Sequence, residues 1–201
     1  MECKIIINPL LYVIVLLYNS SDNLILKTKG DLILLNIVLF EPRIPHNTGA
    51  IGRTCFLTGS KLHLVYPMGF SVNDKNIRRA GLDYWEKTDI TYYDSVEDFL
   101  RIHCDDKLFF FTTKARKIYS DVSYPDNSYL IFGREDRGID EEILLNHQEA
   151  CVRIPMLDRE EARSLNLSNS VSVAAFEFLR QHNFEGLLTE GSLHNLKWNE
   201  E

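Results

Sequence analysis

A mainly parallel α/β sheet flanked by helices is the fold class this 201-residue chain predicts, on three observations. Short apolar runs recur along residues 35–154, each stopped by a proline, a glycine or a polar turn. Helix-like segments separate most of them, and strands alternating with helices imply parallel pairing. No internal repeat, long linker or low-complexity tract divides the chain, so one main domain is expected, over residues 35–188. Residues 1–34 read as an extension and 189–201 as an acidic tail.

The elements follow in order. Leu10 to Tyr18 is a continuous apolar run, too short for the roughly 20 residues a bilayer span needs. A signal peptide would need a more basic start and a small-residue cleavage site after Tyr18, so an appended strand or hairpin, or a start site placed too far upstream, is expected. Asn36 to Phe40, stopped by Glu41-Pro42, reads as a buried strand, and a helix is expected from Asn47 or Thr48 through Leu57. His63 to Tyr66 is the next strand, residues 75–81 a helix, and Ile90 to Tyr93 a strand. Ser95 caps a helix running to His103. Lys107 to Thr112 and Ser128 to Phe132 are strands, Asp140 to Asn146 a helix, and Ala150 to Ile154 the last strand. An apolar helix-like run from Val171 to Leu179 closes the domain.

Composition bounds the function. Hydrophobic residues at 45% and charged residues at 25% fit a globular domain with a real core. Cys3, Cys55, Cys104 and Cys151 show no C-x-x-C pair and no metal-type spacing with histidine, which reads as reduced thiols of a cytoplasmic protein. The six histidines have no ligand spacing and no role is assigned to them. A net charge of -7 argues against a simple basic nucleic-acid module but leaves room for a local basic groove. Lys75, Arg78, Arg79, Lys114, Arg116 and Lys117 are the candidates for one, with ordinary solvated surface the equal alternative. No membrane, DNA or metal partner is indicated.

In parallel sheets ligands bind beyond the carboxyl ends of the strands. Four loops fall there: residues 41–49 leading to Arg53, Thr112-Thr113-Lys114, Gly133 to Gly138, and residues 153–169. The loop from Gly133 to Gly138 is neither a dinucleotide fingerprint nor a P-loop, so a nicotinamide or nucleoside-triphosphate enzyme is poorly supported. In Ser164-Leu165-Asn166-Leu167-Ser168-Asn169 the polar residues exceed what a helix cap requires, which suggests a loop facing a ligand.

Asn47 to Cys55, Phe132 to Gly138, and Arg153 to Met156 with Arg163 to Asn169 together resemble the SPOUT superfamily of RNA methyltransferases. Pro67 to Phe70 and Arg78 to Tyr84 resemble its small branch that 2′-O-methylates the wobble nucleotide of tRNA. The likeness covers residues from about Leu35 to Leu187. It implies a C-terminal trefoil knot, a homodimer, S-adenosylmethionine as methyl donor and the tRNA anticodon stem-loop as partner. Carried over by motif position, the cofactor pocket would use Phe111, Gly133, Ile154 and Ser164, with Leu165 and Leu167 as further walls.

Arg53 is placed at the chemistry by the same resemblance. An arginine stays protonated and is a poor base, so it would grip the RNA phosphate beside the target ribose and lower the 2′-OH pKa electrostatically. Asn166 and Ser168 would fix the ribose or the methionine end of the cofactor; helix capping is the alternative, weighed equally for Ser168 and below ligand contact for Asn166. Asn47, Glu135 and Arg137 are candidate substrate contacts, with a hydrogen bond within its own turn an equal account of Asn47, a cofactor contact or a surface charge the other accounts of Glu135, and an interface contact the other account of Arg137. Gly52 stands where the branch usually has a larger residue, which would loosen the helix carrying Arg53; Phe176 stands where a tyrosine is often found. A ribose methyltransferase for another RNA site, or a non-catalytic SAM- or RNA-binding protein of the same fold, fits these residues too.

Overall fold

The computed structural model describes residues 3–8, 12–18, 24–27, 34–71, 82–158 and 164–198. Two compact units are present. One combines residues 1–33 with 184–201, and the other spans Leu34–Asn183. In the first, strands β1 (Cys3–Asn8), β2 (Tyr12–Tyr18) and β3 (Leu24–Lys27) form an antiparallel sheet in the order β1-β2-β3. The described part of the apolar run, Tyr12–Tyr18, is thus the middle strand of that sheet.

The larger unit is built on a seven-stranded sheet. Its strands are β4 (Leu35–Phe40), β5 (Lys61–Val65), β6 (Ile90–Tyr93), β7 (Leu108–Phe111), β8 (Lys117–Ile118), β9 (Ser128–Phe132) and β10 (Cys151–Arg153). The order is β6-β5-β4-β9-β7-β10-β8, and every neighbouring pair is parallel. Covered on both faces, the central strands carry unbroken apolar runs: Ile37, Val38, Leu39, Leu130 and Ile131 are fully buried. Phe40, Phe99, Phe110 and Ile131 lie in one core cluster, with Phe40 and Phe99 edge to face at 5.5 Å.

Helices α1 (Pro45–Thr58), α2 (Val96–Ile102), α3 (Glu141–Asn146) and α4 (Leu167–Gln181) flank the sheet. Ser95 caps α2 as expected, accepting from the Asp98 N–H at 3.1 Å. Helix α1 starts two residues earlier than expected, because Pro45 in its first turn presets φ and lacks the N–H that would go unbonded there. The expected helix over residues 75–81 lies outside the described residues. Four elements were not expected: the 3-10 helices Leu82–Lys87, Tyr119–Asp121 and Gln148–Ala150, and the two-residue strand β8, which is exposed and carries no apolar run to announce it.

The sheet order has one consequence for the site. Strands β7 and β8 are joined by residues 112–116, yet β10 lies between them. The Thr112 N–H donates to the Val152 carbonyl at 2.9 Å, extending the β7–β10 pairing, and the connection then passes to the other flank of β10. The carboxyl ends of β4, β7, β9 and β10 are thereby gathered in one place.

Candidate active site

A cavity of ≈ 360 Å³ opens at those carboxyl ends. Its size falls within the roughly 300–1,000 Å³ typical of small-molecule sites. Phe111 and Phe132, the last residues of β7 and β9, sit in register and stack with ring centroids 4.8 Å apart, giving the cavity an aromatic wall. Ile154 and Met156, just past β10, add apolar surface, and Thr112, Thr113 and Lys114 line the crossing loop. Ser164, Leu165, Asn166, Leu167 and Ser170 close the cavity from the start of α4.

The loop after β9 makes its bend through Gly133. A Cβ on this residue would overlap the Gly138 carbonyl carbon and the Ile139 nitrogen, so only glycine fits. Arg134 and Gly138 then close a small antiparallel bridge, with the Gly138 N–H donating to Arg134 O at 2.9 Å and Gly138 at φ 75°. That bridge turns Glu135 toward helix α1. Its carboxylate accepts from the Arg43 N–H at 2.8 Å, the Ile44 N–H at 3.2 Å and the Asn47 side-chain amide at 3.1 Å. Ile44 offers no capping side chain, so a carboxylate from another loop holds the entry to α1, where the helix dipole favours negative charge.

Asn47 passes the connection on. Its carbonyl accepts from the Asn166 side-chain amide at 3.0 Å. Asn166 Oδ1 in turn accepts from the Ser168 N–H at 2.9 Å, the Asn169 N–H at 3.4 Å and the Ser168 hydroxyl at 2.6 Å. Asn166 is therefore the cap of α4, with its side chain reaching both the helix N–H groups and Asn47, and it lines the cavity as well. Glu135, Asn47 and Asn166 form one polar strut between three loops.

Each expected residue has a definite place. Asn47, Phe111, Gly133, Glu135, Arg137, Ile154, Ser164, Leu165, Asn166 and Leu167 all line the cavity. Ser168 and Arg53 do not. Arg53 stands on the exposed face of α1 with its guanidinium carbon 5.5 Å from the Tyr84 ring centroid, a cation–π distance. Gly52 beside it is packed against a ring from the 3-10 helix Leu82–Lys87. The Trp85 ring occupies the space a side chain would take, 3.0 Å from where a Cβ would stand, and Thr88 Oγ1 donates to the Gly52 carbonyl at 3.3 Å. Of the candidate basic groove, Lys114 pairs with Glu141 at 2.7 Å and Lys117 with Glu149 at 2.8 Å. Lys75, Arg78 and Arg79 lie outside the described residues.

Sequence reasoning passed over Glu41 and Arg43. Glu41 Oε2 is approached by guanidinium nitrogens of Arg43 at 3.5 Å, Arg134 at 3.3 Å and Arg137 at 3.4 Å. Arg134 is also gripped by both oxygens of Asp136, at 2.9 and 2.6 Å, which holds the Asp136 carboxyl below its usual range. The Glu41-Pro42-Arg43 stop after β4 was the available signal, since it too falls at a carboxyl end. Among the described residues no group of three His, Cys, Asp or Glu is placed to hold a metal ion, and no helix is long and apolar enough to cross a membrane.

Comparison with known proteins covers most of the larger unit. A family model described as the SpoU rRNA Methylase family matches residues 34–176. The tRNA (cytidine(34)-2′-O)-methyltransferase of Escherichia coli (strain K12) is 48% identical over 154 residues, which is 76% of this chain and 97% of that protein. The enzyme of the same description from Yersinia pestis is 48% identical over 162 residues, 77% of this chain and 98% of that protein. A solved structure described as giving insight into 2-OH methylation of C/U34 on tRNA superposes with a TM-score of 0.71 at 36% identity, over 76% of this chain and 99% of that one. An AdoMet-bound rRNA methyltransferase from Sinorhizobium meliloti gives 0.65 at 25% identity, over 73% of this chain and 56% of that one.

Proposed function

The chain belongs to the SpoU rRNA Methylase family, and from that premise we propose that it is a cytoplasmic tRNA methyltransferase. Its reaction is transfer of a methyl group from S-adenosylmethionine to the ribose 2′-OH of the wobble nucleotide, cytidine or uridine. The observation that carries this reading is the three-loop cavity at the strand ends, in a chain that is 48% identical, over 154 and 162 residues, to two tRNA (cytidine(34)-2′-O)-methyltransferases along nearly their whole length.

The residues present fit the methyl donor. Stacked Phe111 and Phe132, Ile154 and Leu167 offer an apolar surface for a nucleoside base, and Ser164, which also lines the cavity, offers a hydroxyl. When bound, S-adenosylmethionine supplies a methyl already activated by its positive sulfur, so the protein's task is largely to align it with the attacking oxygen. Glu135, Asn47 and Asn166 serve that alignment as a strut: their polar atoms are spent on each other and on the two helix starts. Arg53 holds the RNA. Its place off the cavity wall, on an exposed helix face, suits a side chain that grips a phosphate beside the target ribose and lowers the hydroxyl pKa. The 2′-OH proton then leaves to that phosphate or to water.

Two structural features complete the proposal. The chain is knotted, with the segment after β10 drawn beneath the 112–116 connection that crosses over it; the insertion of β10 between β7 and β8 supports this. The enzyme is a homodimer joined through α1 and α4, which pack on each other and leave Leu57 and Phe176 more than half exposed. Incubation with labelled S-adenosylmethionine and bulk tRNA, followed by nuclease mapping, tests the activity. Label on the ribose of the wobble nucleotide is expected; label on a base, or in ribosomal RNA only, would overturn it.

A further inference from the structure

Three guanidinium groups share one carboxylate oxygen at the mouth of the cavity. Arg43, Arg134 and Arg137 all approach Glu41 Oε2, at 3.3–3.5 Å, and none of the three contacts is short. An ideal charge-assisted N–H···O bond is about 2.7–2.9 Å, and a single oxygen cannot offer that to three forks at once. Arg134 is also paired with Asp136, so the donors left under-used are those of Arg43 and Arg137. Arg43 Nε is buried with no hydrogen-bond partner among the described residues, and Arg137 is 65% exposed. An anion with several oxygens in tetrahedral array would satisfy these forks better than Glu41 does.

The cluster is built into the fold. Arg43's stem is fixed against Gly69, where a Cβ would come within 2.9 Å of Arg43 Cα, Cδ and O, and the Gly69 N–H donates to the Pro42 carbonyl at 2.9 Å. Arg134 is held in place by Asp136. Glu41 itself sits at φ 48°, a left-handed conformation that glycine or asparagine would adopt more easily. A glutamate kept in such a place points to a use for its side chain. Three arginines against Glu41 and Asp136 leave one positive charge in excess, while the Glu135 carboxylate is spent on the start of α1.

We infer that Arg43, Arg134 and Arg137 form a seat for one phosphodiester of the RNA substrate, with Glu41 as a built-in placeholder that keeps the forks converged until the phosphate arrives. The inference rests on the reading of the site as an RNA ribose methyltransferase and adds a contact separate from Arg53. The seat lies beside the cavity, since Arg134 and Arg137 line the cavity and converge with Arg43 on Glu41. RNA held there would enter beside the methyl donor. The cofactor's own carboxylate is the competing anion, and the test separates the two.

The measurement is the salt dependence of binding for a fluorescent anticodon stem-loop RNA, with S-adenosylmethionine affinity by calorimetry and thermal unfolding as a check on folding. In single-stranded RNA each neutralised phosphate contributes about 0.7 to the slope of log K against log salt. The double variant R43Q/R137Q is expected to lower that slope by about 0.7, with S-adenosylmethionine affinity kept. An unchanged slope would overturn the seat, and a fall of about 1.4 would mean two separate phosphates. Loss of S-adenosylmethionine affinity with an unchanged RNA slope would assign the arginines to the cofactor instead. Glu41→Gln keeps the shape and removes the competing charge, so it is expected to tighten RNA binding severalfold; weaker binding would end its part as placeholder. These readouts need only binding, so a wild-type enzyme that fails to label the wobble ribose would count against the proposed activity and not against the seat.

Discussion

Asn166 Nδ2 donates to Asn47 Oδ1 at 3.0 Å, joining the cap of α4 to the first turn of α1 across 119 residues of sequence. Asn47 is nearly fully buried, and its amide also serves Glu135. Replacing it with alanine strands the Asn166 amide and removes one bond from the Glu135 carboxylate. Asn47→Ala is expected to cost about 1–3 kcal/mol in urea unfolding. Because the three loops it ties together wall the cavity, S-adenosylmethionine affinity should fall along with stability. A variant of wild-type stability and affinity would show that the strut is dispensable.

Gly133→Ala tests the loop after β9 more severely. The added methyl would overlap the backbone of Gly138 and Ile139, and backbone cannot yield as a flexible side chain would. Overpacking of this kind costs about 1–3 kcal/mol or more. Calorimetry should show S-adenosylmethionine binding lost or greatly weakened, while far-ultraviolet circular dichroism stays near wild type because the change is confined to one loop.

The strands of the central sheet were legible because parallel strands covered on both faces must be apolar throughout, as Ile37–Leu39 and Leu130–Ile131 are. The four loops of the site were legible for a related reason: each follows a strand that stops abruptly at Pro, Gly or a polar residue. The division of labour within Ser164–Asn169 was not. Several amides and hydroxyls there can cap a helix equally well, and the choice falls to Asn166 through a bond to Asn47 that no local pattern announces. The arginine cluster on Glu41 was hidden for the same reason, since its members come from two loops some 93 residues apart. Strand β8 and the order β7-β10-β8 follow from tertiary pairing alone.

Arg53→Ala separates substrate handling from cofactor binding. Arg53 lies off the cavity wall and over Tyr84. Removing a group that stabilises developing charge lowers kcat roughly 10²–10³-fold, and that is the expected loss here, with S-adenosylmethionine affinity intact. Tyr84→Ala should lower turnover more mildly, because a surface cation–π contact is worth about 0.5–1 kcal/mol. A parallel fall in cofactor affinity in Arg53→Ala would show that the residue shapes the cavity instead.

Gly52 and Trp85 form a pair whose sizes compensate. With a Cβ at Gly52 only 3.0 Å from Trp85 Cε3 and Cζ3, Gly52→Leu alone is expected to push the indole away and destabilise α1. Trp85→Ala alone leaves the space empty. Combined, the two changes should restore part of the loss, with a coupling of about 1 kcal/mol in a double-mutant cycle of urea unfolding. Additive losses would mean that the indole does not fill the place of the missing side chain.

His63, which does not line the cavity, sets a pH dependence of folding. Its ring is buried between Asn36 and Tyr93, with His63 Nε2 3.1 Å from Asn36 Oδ1 and Nδ1 2.8 Å from the Tyr93 hydroxyl. Asn36 Nδ2 donates to Asn127 Oδ1 at 3.0 Å, which leaves its Oδ1 to accept from His63 Nε2–H. Neutral His63 therefore protonated at Nε2 accepts the Tyr93 hydroxyl at Nδ1, and the chain continues from Tyr93 to His103 at 2.9 Å and Asp106 at 2.7 Å. Burial, reinforced by repulsion from His103 and Lys61, lowers the His63 pKa from 6.5 to about 4. Between those values the unfolded chain binds a proton that the folded chain refuses. The contribution of His63 is thus complete above pH 6.5 and declines as pH falls toward 4, by about 3 kcal/mol in all. Urea unfolding of wild type should show that decline, and His63→Gln, which keeps a hydrogen-bonding amide without the titration, should flatten it even if its stability at neutral pH is lower. An equally steep decline in His63→Gln would place the acid sensitivity in other groups.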